Sequence, residues 1–196
     1  MREKLMLRLF VGLELPEDVR QALTAIRGEL KGARWQTAGQ LHMTLSFIGN
    51  VGDDNLPVIY DALHGLPLDP FPVTVAGVGL FGSPQYPKNL WAGVLDREPL
   101  IDLHEEIHQR LKQLNVSSQG RGFRPHITLA RFRGRRTRQY AARQDKREPA
   151  QSLNRFLDKY GQLELPSFGV HHVSLFSSTQ RPEGSHYQVI GRFPAD

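Results

Sequence analysis

The chain has 196 residues, 39% of them hydrophobic, carries a formal charge of +5 at pH 7 and contains no cysteine. This length suits one ordinary domain or two small lobes with a real core, and the lack of cysteine excludes disulfides, thiolate zinc sites and cysteine nucleophiles. The first residues lack the long apolar run of a signal peptide or a membrane span, so we expect a cytoplasmic protein without membrane attachment. The positive charge favours a polyanionic partner, but only weakly.

Apolar patterns with a period of two or of about 3.6 residues predict the elements of the first half of the chain. In order they are a strand, a helix, a strand, a helix and a strand. We expect them at residues 7–15, 16–32, 41–48, 56–66 and 71–83. The first helix is marked by Pro16 and two acids at its start and by Gly32 as its stop.

The second half repeats this order and adds a closing strand. We expect its elements at residues 90–95, 100–114, 123–132, 153–163, 168–178 and 187–193. The halves also share a similar pentapeptide, the Leu-Phe pentapeptide, which is Gly79-Leu-Phe-Gly-Ser83 in the first half and Ser174-Leu-Phe-Ser-Ser178 in the second. We infer a single α+β domain, internally duplicated, with pseudo-repeats at roughly 5–89 and 90–193. The alternative is that similar short sequences fell by chance in an ordinary α+β domain.

The pattern His-x-Thr-Leu occurs in both halves, as His42-Met-Thr-Leu45 and as His126-Ile-Thr-Leu129. Successive side chains of a strand point to opposite faces, so each histidine shares a face with its threonine. The apolar positions between them, and Phe47 beyond the first copy, are expected to face a core. Two such strands around one cleft would provide two imidazoles and two hydroxyls, which suits acid–base catalysis at a phosphate.

The chain resembles the two-histidine phosphoesterases with their HxTx motif, and among them the RNA 2′,3′-cyclic phosphodiesterases, also called 2′-5′ RNA ligases. The resemblance covers nearly the whole chain, including Arg8-Leu-Phe-Val11, both His-x-Thr strands and Leu175-Phe-Ser-Ser178. It implies a bilobal fold in which two antiparallel sheets form a V-shaped cleft, with helices on the outer faces. It also implies metal-independent opening of a terminal RNA 2′,3′-cyclic phosphate to a 2′-phosphate, without a cofactor, and weak reversible 2′-5′ ligation.

Carried onto this sequence, the resemblance makes His42 and His126 the catalytic pair. It implies that His126 accepts the proton of the attacking water and that His42 donates a proton to the departing ribose 3′-oxygen. Thr44 and Thr128 become the hydroxyls that bind the phosphate. With unperturbed pKa values near 6.5, the required state, one ring neutral and one protonated, would be best populated near neutral pH.

Arg131 is the cation that the resemblance adds to the substrate-binding residues. Strict alternation would place Arg131 on the same face as Ile127 and Leu129, so its use at the site requires a bulge or a strand end after Leu129. The resemblance also implies that the terminal base stacks on an apolar or aromatic side chain. The candidates for stacking are Phe47, Trp35 and Phe123.

Two other histidine pairs suggest metal sites that we discount. His104-Glu-Glu-Ile-His108 matches the zinc-protease pattern on a helix, but both rings flank the apolar stripe and no third ligand motif follows, which is typical of a solvated helix flank. His171 and His172 are neighbours on a strand, so alternation points their rings to opposite faces.

The segment from Arg131 to Arg147 carries eight basic residues and one acid. It leaves the end of the second His-x-Thr strand, so it could hold RNA phosphates. A solvated insertion is the equally weighted alternative.

We therefore predict an RNA 2′,3′-cyclic phosphodiesterase that needs no metal, acts on RNA with a cyclic phosphate or processed ends, and works as a monomer. Two alternatives remain open. One is a non-catalytic module that binds RNA ends, and the other is a phosphoesterase that acts on a small cyclic nucleotide-like molecule.

Overall fold

The computed structural model describes residues 5–114, 122–132, 147–182 and 184–194. The helices are α1 (Glu17–Ala25), α2 (Leu56–His64), α3 (Glu98–Gln113) and α4 (Arg147–Tyr160). The strands are β1 (Met6–Glu14), β2 (Ala33–Trp35), β3 (His42–Gly52), β4 (Phe71–Val73), β5 (Val75–Ser83), β6 (Tyr86–Val94), β7 (Ile127–Phe132), β8 (Phe168–Val170), β9 (Val173–Arg181) and β10 (Gly184–Phe193). In the described part of the chain, no helix is both long enough and apolar enough to cross a membrane.

The main sheet is antiparallel and has the strand order β10-β9-β1-β3-β7-β6-β5, with β2 beside β7. Strands β3 and β7 are joined by a single residue pair, Met43 with Ile127. This narrow junction divides the sheet into a first lobe of β10, β9, β1 and β3 and a second lobe of β5, β6, β7 and β2. The predicted α+β fold with antiparallel sheets and an internal duplication is confirmed.

The two lobes do not coincide with the two halves of the sequence, because strands cross between them. Strand β5 belongs to the first half but pairs with β6 in the second lobe. Strands β9 and β10 belong to the second half but extend the first lobe through the β1–β9 pairing. A small sheet forms between β4, which precedes β5 in the chain, and β8, which precedes β9, so the two crossing segments pair with each other. Each lobe is therefore completed by the other half of the chain.

A single apolar core runs through both lobes and under the junction. Met43 and Ile127, the joined pair, are both fully buried in it. Helix α3 contributes a stripe of buried leucine and isoleucine at helical spacing, namely Leu100, Leu103, Ile107 and Leu111. Each such buried side chain contributes on the order of 1.5–3 kcal/mol. This packing fixes the two central strands against each other.

Several predicted elements differ from the structure. Helix α1 ends at Ala25 instead of near Gly32, and beyond its end the indole of Trp35 donates to the carbonyl of Gly28. The expected strand at 71–83 is two strands, β4 in the small sheet and β5 in the main one. The expected strand at 168–178 is likewise two, β8 in the small sheet and β9 in the main one, and His171 and His172 lie between them instead of on a strand. Strand β6 begins at Tyr86, four residues before the start of the strand expected at 90–95, and the short strand β2 was not predicted at all.

Candidate active site

The junction of β3 and β7 brings the two His-x-Thr motifs side by side. Because Met43 pairs with Ile127 and the strands are antiparallel, continuing the register by one residue places His42 opposite Thr128 and His126 opposite Thr44. Directly opposed residues have Cβ atoms roughly 4.5–5.5 Å apart and share a face. All four side chains are partly exposed, whereas Met43 and Ile127 are buried beneath them. The predicted grouping of two imidazoles and two hydroxyls is present.

Both imidazoles are held by the same backbone contact. The Nδ1 of His42 lies 2.8 Å from the carbonyl oxygen of Gln40, and the Nδ1 of His126 lies 2.7 Å from that of Arg124. A carbonyl only accepts, so each Nδ1 carries the hydrogen and each neutral ring has its lone pair on Nε2. Thr44 Oγ1 lies 2.9 Å from Nε2 of His42 and donates to it. Each histidine can therefore accept or return a proton at Nε2.

Equivalent bulges follow the two motifs and decide which later side chains reach the site. Strand β3 pairs with β1 through Ser46 and Thr44 but skips Leu45. Strand β7 pairs with β6 through Ala130 and Thr128 but skips Leu129. An extra residue reverses the alternation beyond it. Arg131 therefore turns to the cleft, as its use at the site requires.

The first of these bulges also corrects the prediction that Phe47 faces the core. Its side chain is 53% exposed and lines the cleft instead, with its ring 6.1 Å from that of Phe10. Phe47 and Arg131 occupy equivalent positions, five residues after His42 and His126 respectively.

Three aromatic rings enclose His42 in the first lobe. The ring centroids of Phe10, Tyr187 and Phe176 lie 4.8, 4.9 and 5.7 Å from that of the imidazole. Burial among these rings lowers the pKa of His42 to about 4, and the positive charges of Arg131 and His126 add to the effect. The hydrogen bond to Gln40 opposes it. His42 is therefore neutral at pH 7 in the free protein.

His126 has a similar but more open environment in the second lobe. Phe81 meets its ring edge-on at 4.9 Å. Burial lowers the pKa of His126, and the neighbouring positive charges of Arg124 and Arg131 lower it further. Phe81 and Phe176 are the phenylalanines of the two Leu-Phe pentapeptides. Phe81, from the first half, packs on His126 of the second half, and Phe176, from the second half, packs on His42 of the first half.

A cleft of about 1240 Å³ opens from His42 between the lobes. The first lobe lines it with Phe47 and Arg8, and the second lobe with Arg131 and Arg34. Among the described residues that line the cleft there is no aspartate or glutamate. His126, Thr44 and Thr128 lie next to His42 at the strand junction, beside the cleft wall. The cleft therefore offers His42 and several arginines, and of the two histidines only His42 is among its lining residues.

Comparison with known proteins agrees with this geometry. The family described as LigT-like phosphoesterase matches the chain in two stretches, residues 13–91 and 95–187. The chain belongs to this family. One curated relative, an RNA 2′,3′-cyclic phosphodiesterase of Methanothermobacter thermautotrophicus, is 30% identical over 188 residues, which are 92% of this chain and 94% of that protein. A protein of the same name from Thermotoga maritima is 28% identical over 198 residues, 94% of this chain and 93% of that protein.

Solved structures of similar proteins share the fold. A crystal structure of a Thermus thermophilus protein aligns with a TM-score of 0.71 and 25% identity, covering 95% of this chain and 96% of that one. Escherichia coli LigT in complex with 3′-AMP aligns with a TM-score of 0.74 at 19% identity, covering 96% and 98%. The second comparison shows the fold alone.

Two of the three stacking candidates in this LigT-like phosphoesterase lie away from the cleft. Trp35 packs against Phe156, with ring centroids 5.7 Å apart. Phe123 stacks on His104 at 4.1 Å. Phe47 is the candidate that lines the cleft.

The first histidine of the zinc-protease pattern, His104, contacts strand β3. His104 donates from Nδ1 to the carbonyl of Leu45 at 2.7 Å, and its ring lies 6.0 Å from that of His108. The prediction of a solvated helix flank is therefore wrong in part, because both histidines are partly buried and His104 is hydrogen-bonded to β3. Of the residues that the structure describes, no three His, Asp or Glu side chains are grouped to hold a metal ion. His172 faces the carboxylate of Glu14 at 3.6 Å.

The basic run from Arg131 to Arg147 falls largely outside the described residues, because positions 133–146 are not among them. Its predicted role in holding RNA stays a prediction. Only Arg131, at the end of β7, is placed in the cleft.

Several residues of the site were not predicted from the sequence. Gln40 and Arg124 orient the histidines through their backbone carbonyls, which no side-chain pattern reveals. Phe176 lies in the stretch Leu175-Phe-Ser-Ser178 that carries the resemblance, and Tyr187 begins the expected closing strand at 187–193, but nothing in the sequence assigned either ring to His42. Arg34 comes from the unpredicted strand β2.

Proposed function

We propose that this LigT-like phosphoesterase hydrolyses terminal 2′,3′-cyclic phosphates of RNA to 2′-phosphates. The observation that carries the proposal is the pair of His-Thr motifs at one strand junction, where both Nδ1 atoms are bonded to backbone carbonyls and both Nε2 atoms are left to exchange protons beside an arginine-lined cleft. The names of the similar proteins from Methanothermobacter thermautotrophicus and Thermotoga maritima support the same substrate class.

In the proposed reaction the cyclic phosphate lies between the two histidines. His126 takes a proton at Nε2 from a water molecule, whose oxygen forms the new bond to phosphorus. The bond from phosphorus to the ribose 3′-oxygen breaks, and His42 donates its Nε2 proton to that oxygen. The hydroxyls of Thr44 and Thr128 and the guanidinium of Arg131 stabilise the charge on the non-bridging oxygens. The product keeps its phosphate on the 2′-oxygen.

The donor role of His42 requires that the substrate itself raises the pKa of this residue. A phosphate anion about 4 Å from the imidazolium is worth about 4 kcal/mol at an effective dielectric constant of 20, enough to raise a pKa by about 3. Starting from about 4, the pKa of His42 would then lie near neutrality. We propose that His42 takes up a proton as the substrate binds, which prepares the acid only when the phosphate is in place.

The same arrangement supports reversible 2′-5′ ligation. If the 5′-hydroxyl of another RNA occupies the place of the water, His126 deprotonates that hydroxyl and the same 3′-oxygen departs. We propose that neither reaction needs a metal, because every proton transfer and every contact to the phosphate is assigned to a side chain of this chain.

We further propose that the chain works as a single domain made of two pseudo-repeats, at roughly 5–89 and 90–193, and as a monomer in the cytoplasm. The crossing of β5 and β9 between lobes supports the single domain, since neither lobe is complete with strands from one half.

The test is hydrolysis of a short RNA with a 2′,3′-cyclic phosphate end, in the presence of a chelator. We expect the product to carry a 2′-phosphate. His42→Ala and His126→Ala should each lower turnover by on the order of 10²–10⁴. His64→Ala is the matched control, because His64 is exposed on α2, away from the cleft, and should match the parent.

Several results would count against the proposal. A 3′-phosphate product would contradict the assigned leaving group. Full activity of both alanine variants would remove the histidines from the reaction. Loss of activity in chelator that zinc restores would contradict metal independence. Binding of the RNA end without turnover would favour a non-catalytic module, and turnover of small cyclic nucleotides alone would favour the other alternative.

A further inference from the structure

The two bulges that follow the His-x-Thr motifs each leave one residue outside the strand register. Leu45 has no Cα partner in the pairings of β3 with β1 and β7. Leu129 has none in the pairings of β7 with β2, β3 and β6. Both side chains are buried. Because a buried backbone carbonyl needs a hydrogen-bond donor, each bulge depends on a donor from outside its own register.

The two bulge carbonyls receive their hydrogen bonds from different sources. The carbonyl of Leu129 accepts from the backbone N–H of Gln36 at 2.8 Å, just beyond strand β2. The carbonyl of Leu45 accepts from Nδ1 of His104 at 2.7 Å. A backbone donor survives every substitution except one by proline, whereas a side-chain donor is present only with a suitable residue. The bulge of the first motif therefore depends on one side chain.

Helix α3 and a second ring hold the imidazole of His104 against this carbonyl. Leu103 and Ile107, on the same part of the helix, are buried in the core. The ring of Phe123 stacks on the imidazole, with centroids 4.1 Å apart and an angle of 14° between the planes. A ring that is already held in place loses little freedom when it forms a hydrogen bond. The bond from His104 can therefore define the position of Leu45.

The position of Leu45 matters because residues on both sides of it face the site. Thr44 comes directly before it and donates to Nε2 of His42 at 2.9 Å. Phe47 comes two residues after it and lines the cleft. A displacement of about 1 Å at such a group can lower a rate by about 10²-fold. A donor on α3 thus controls the geometry of the site without touching the substrate.

We propose that His104 is a positioning residue of the active site, which holds Thr44 against His42 and the phosphate through the carbonyl of Leu45. The inference rests on the proposed function, because it takes the hydroxyl of Thr44 to bind the phosphate. It gives the first histidine of the zinc-protease pattern a role other than metal binding. The role belongs to the Nδ1–H donor and not to the ring as such.

Two replacements separate the donor of His104 from its ring. His104→Phe keeps a flat ring on Phe123 and loses the donor. His104→Asn loses the ring and keeps an N–H at the same number of bonds from Cα. With a nucleoside 2′,3′-cyclic phosphate, kcat/KM should fall about tenfold to a hundredfold in His104→Phe and stay within about threefold of the parent in His104→Asn. Losses in both variants that follow their urea unfolding midpoints would show a merely structural histidine and overturn the role.

A double-mutant cycle tests whether His104 acts through Thr44. Because both changes disturb the same hydroxyl, His104→Phe should add little to the loss caused by Thr44→Val. Thr128→Val is the matched control, because the bulge after Thr128 is held by the backbone of Gln36, and there the two losses should multiply. Losses that multiply in both combinations overturn the action through Thr44.

The ring of His42 provides a measurement that needs no substrate. The nitrogen chemical shift of Nε2 changes with the hydrogen bond from Thr44, and the ring is neutral at pH 7. His104→Phe should move this shift towards its value in Thr44→Val, and His104→Asn should keep the parent value. An unchanged shift in His104→Phe overturns the positioning role even if hydrolysis is normal. The expected order of shifts without hydrolysis by the parent overturns the proposed function and leaves the hold of His104 on Thr44 standing.

Discussion

Substrate binding should raise the pKa of His42, and this change separates the pH profiles of kcat/KM and kcat. In the free protein the pKa is about 4, because burial among aromatic rings favours the neutral imidazole. At pH 7 only about one molecule in a thousand then carries the charged ring, against about a quarter at the ordinary value of 6.5. A bound phosphate anion favours the charged form and can raise the pKa by about 3. The pKa of His42 should therefore rise when the substrate binds.

The profile of kcat/KM reports the free enzyme and that of kcat reports the complex. The pKa values of both histidines are lowered in the free protein, so the maximum of kcat/KM should lie below pH 6.5. The maximum of kcat should lie at higher pH, because the bound phosphate raises the pKa of His42 towards neutrality. The assay measures initial rates on a nucleoside 2′,3′-cyclic phosphate between pH 3.5 and 9 at constant ionic strength. NMR titration of the His42 ring, with and without adenosine 2′-phosphate, measures the pKa directly.

A variant isolates one cause of the shift. Arg131→Gln removes a positive charge that lowers the pKa of both histidines, so the free-protein midpoint of His42 should move upward. Burial is the larger cause and should keep it below 6.5. The reasoning is refuted if the two profiles coincide near pH 6.5, or if His42 of the free protein titrates at its ordinary value.

Variants at three further positions test the contacts around the site. Thr44→Val should lower kcat/KM about tenfold or more, because the ring of His42 and the phosphate both lose a hydroxyl donor, while Thr44→Ser should recover most of it in the same assay. Gln40→Leu should lower kcat more than it raises KM, because the segment that holds His42 loses its bonds to Thr37 and Ser185, and steady-state kinetics separates the two parameters. Glu14→Gln should cost less than about 1 kcal/mol at pH 7, because the carboxylate is a third exposed and its bidentate pair with Arg192 is screened. The pKa of Glu14 is lowered by its bonds to Arg192, so its contribution is fully present above pH 4.5 and falls as the pH drops towards the lowered pKa. Urea unfolding should therefore show a smaller difference between variant and parent at pH 3 than at pH 7.

The sequence alone determined the pair of histidines and their threonines. Alternation with period two is a local property of an extended chain, so His42 and Thr44 had to share a face in any strand. The repeated order of elements made it reasonable to bring the second motif to the same cleft. The α+β fold followed from the same periodicities, since helices and strands differ in the spacing of their apolar residues.

The tertiary structure decided what local patterns cannot express. The bulges at Leu45 and Leu129 depend on the neighbouring strands β1 and β6, and they alone turn Phe47 and Arg131 into the cleft. The crossing of β5 and β9 brings Phe81 and Phe176 to the histidines of the opposite halves. The pKa of His42 depends on rings far away in sequence. Strand pairing joins residues that are distant along the chain, so register, burial and charge at the site are fixed only when the lobes assemble.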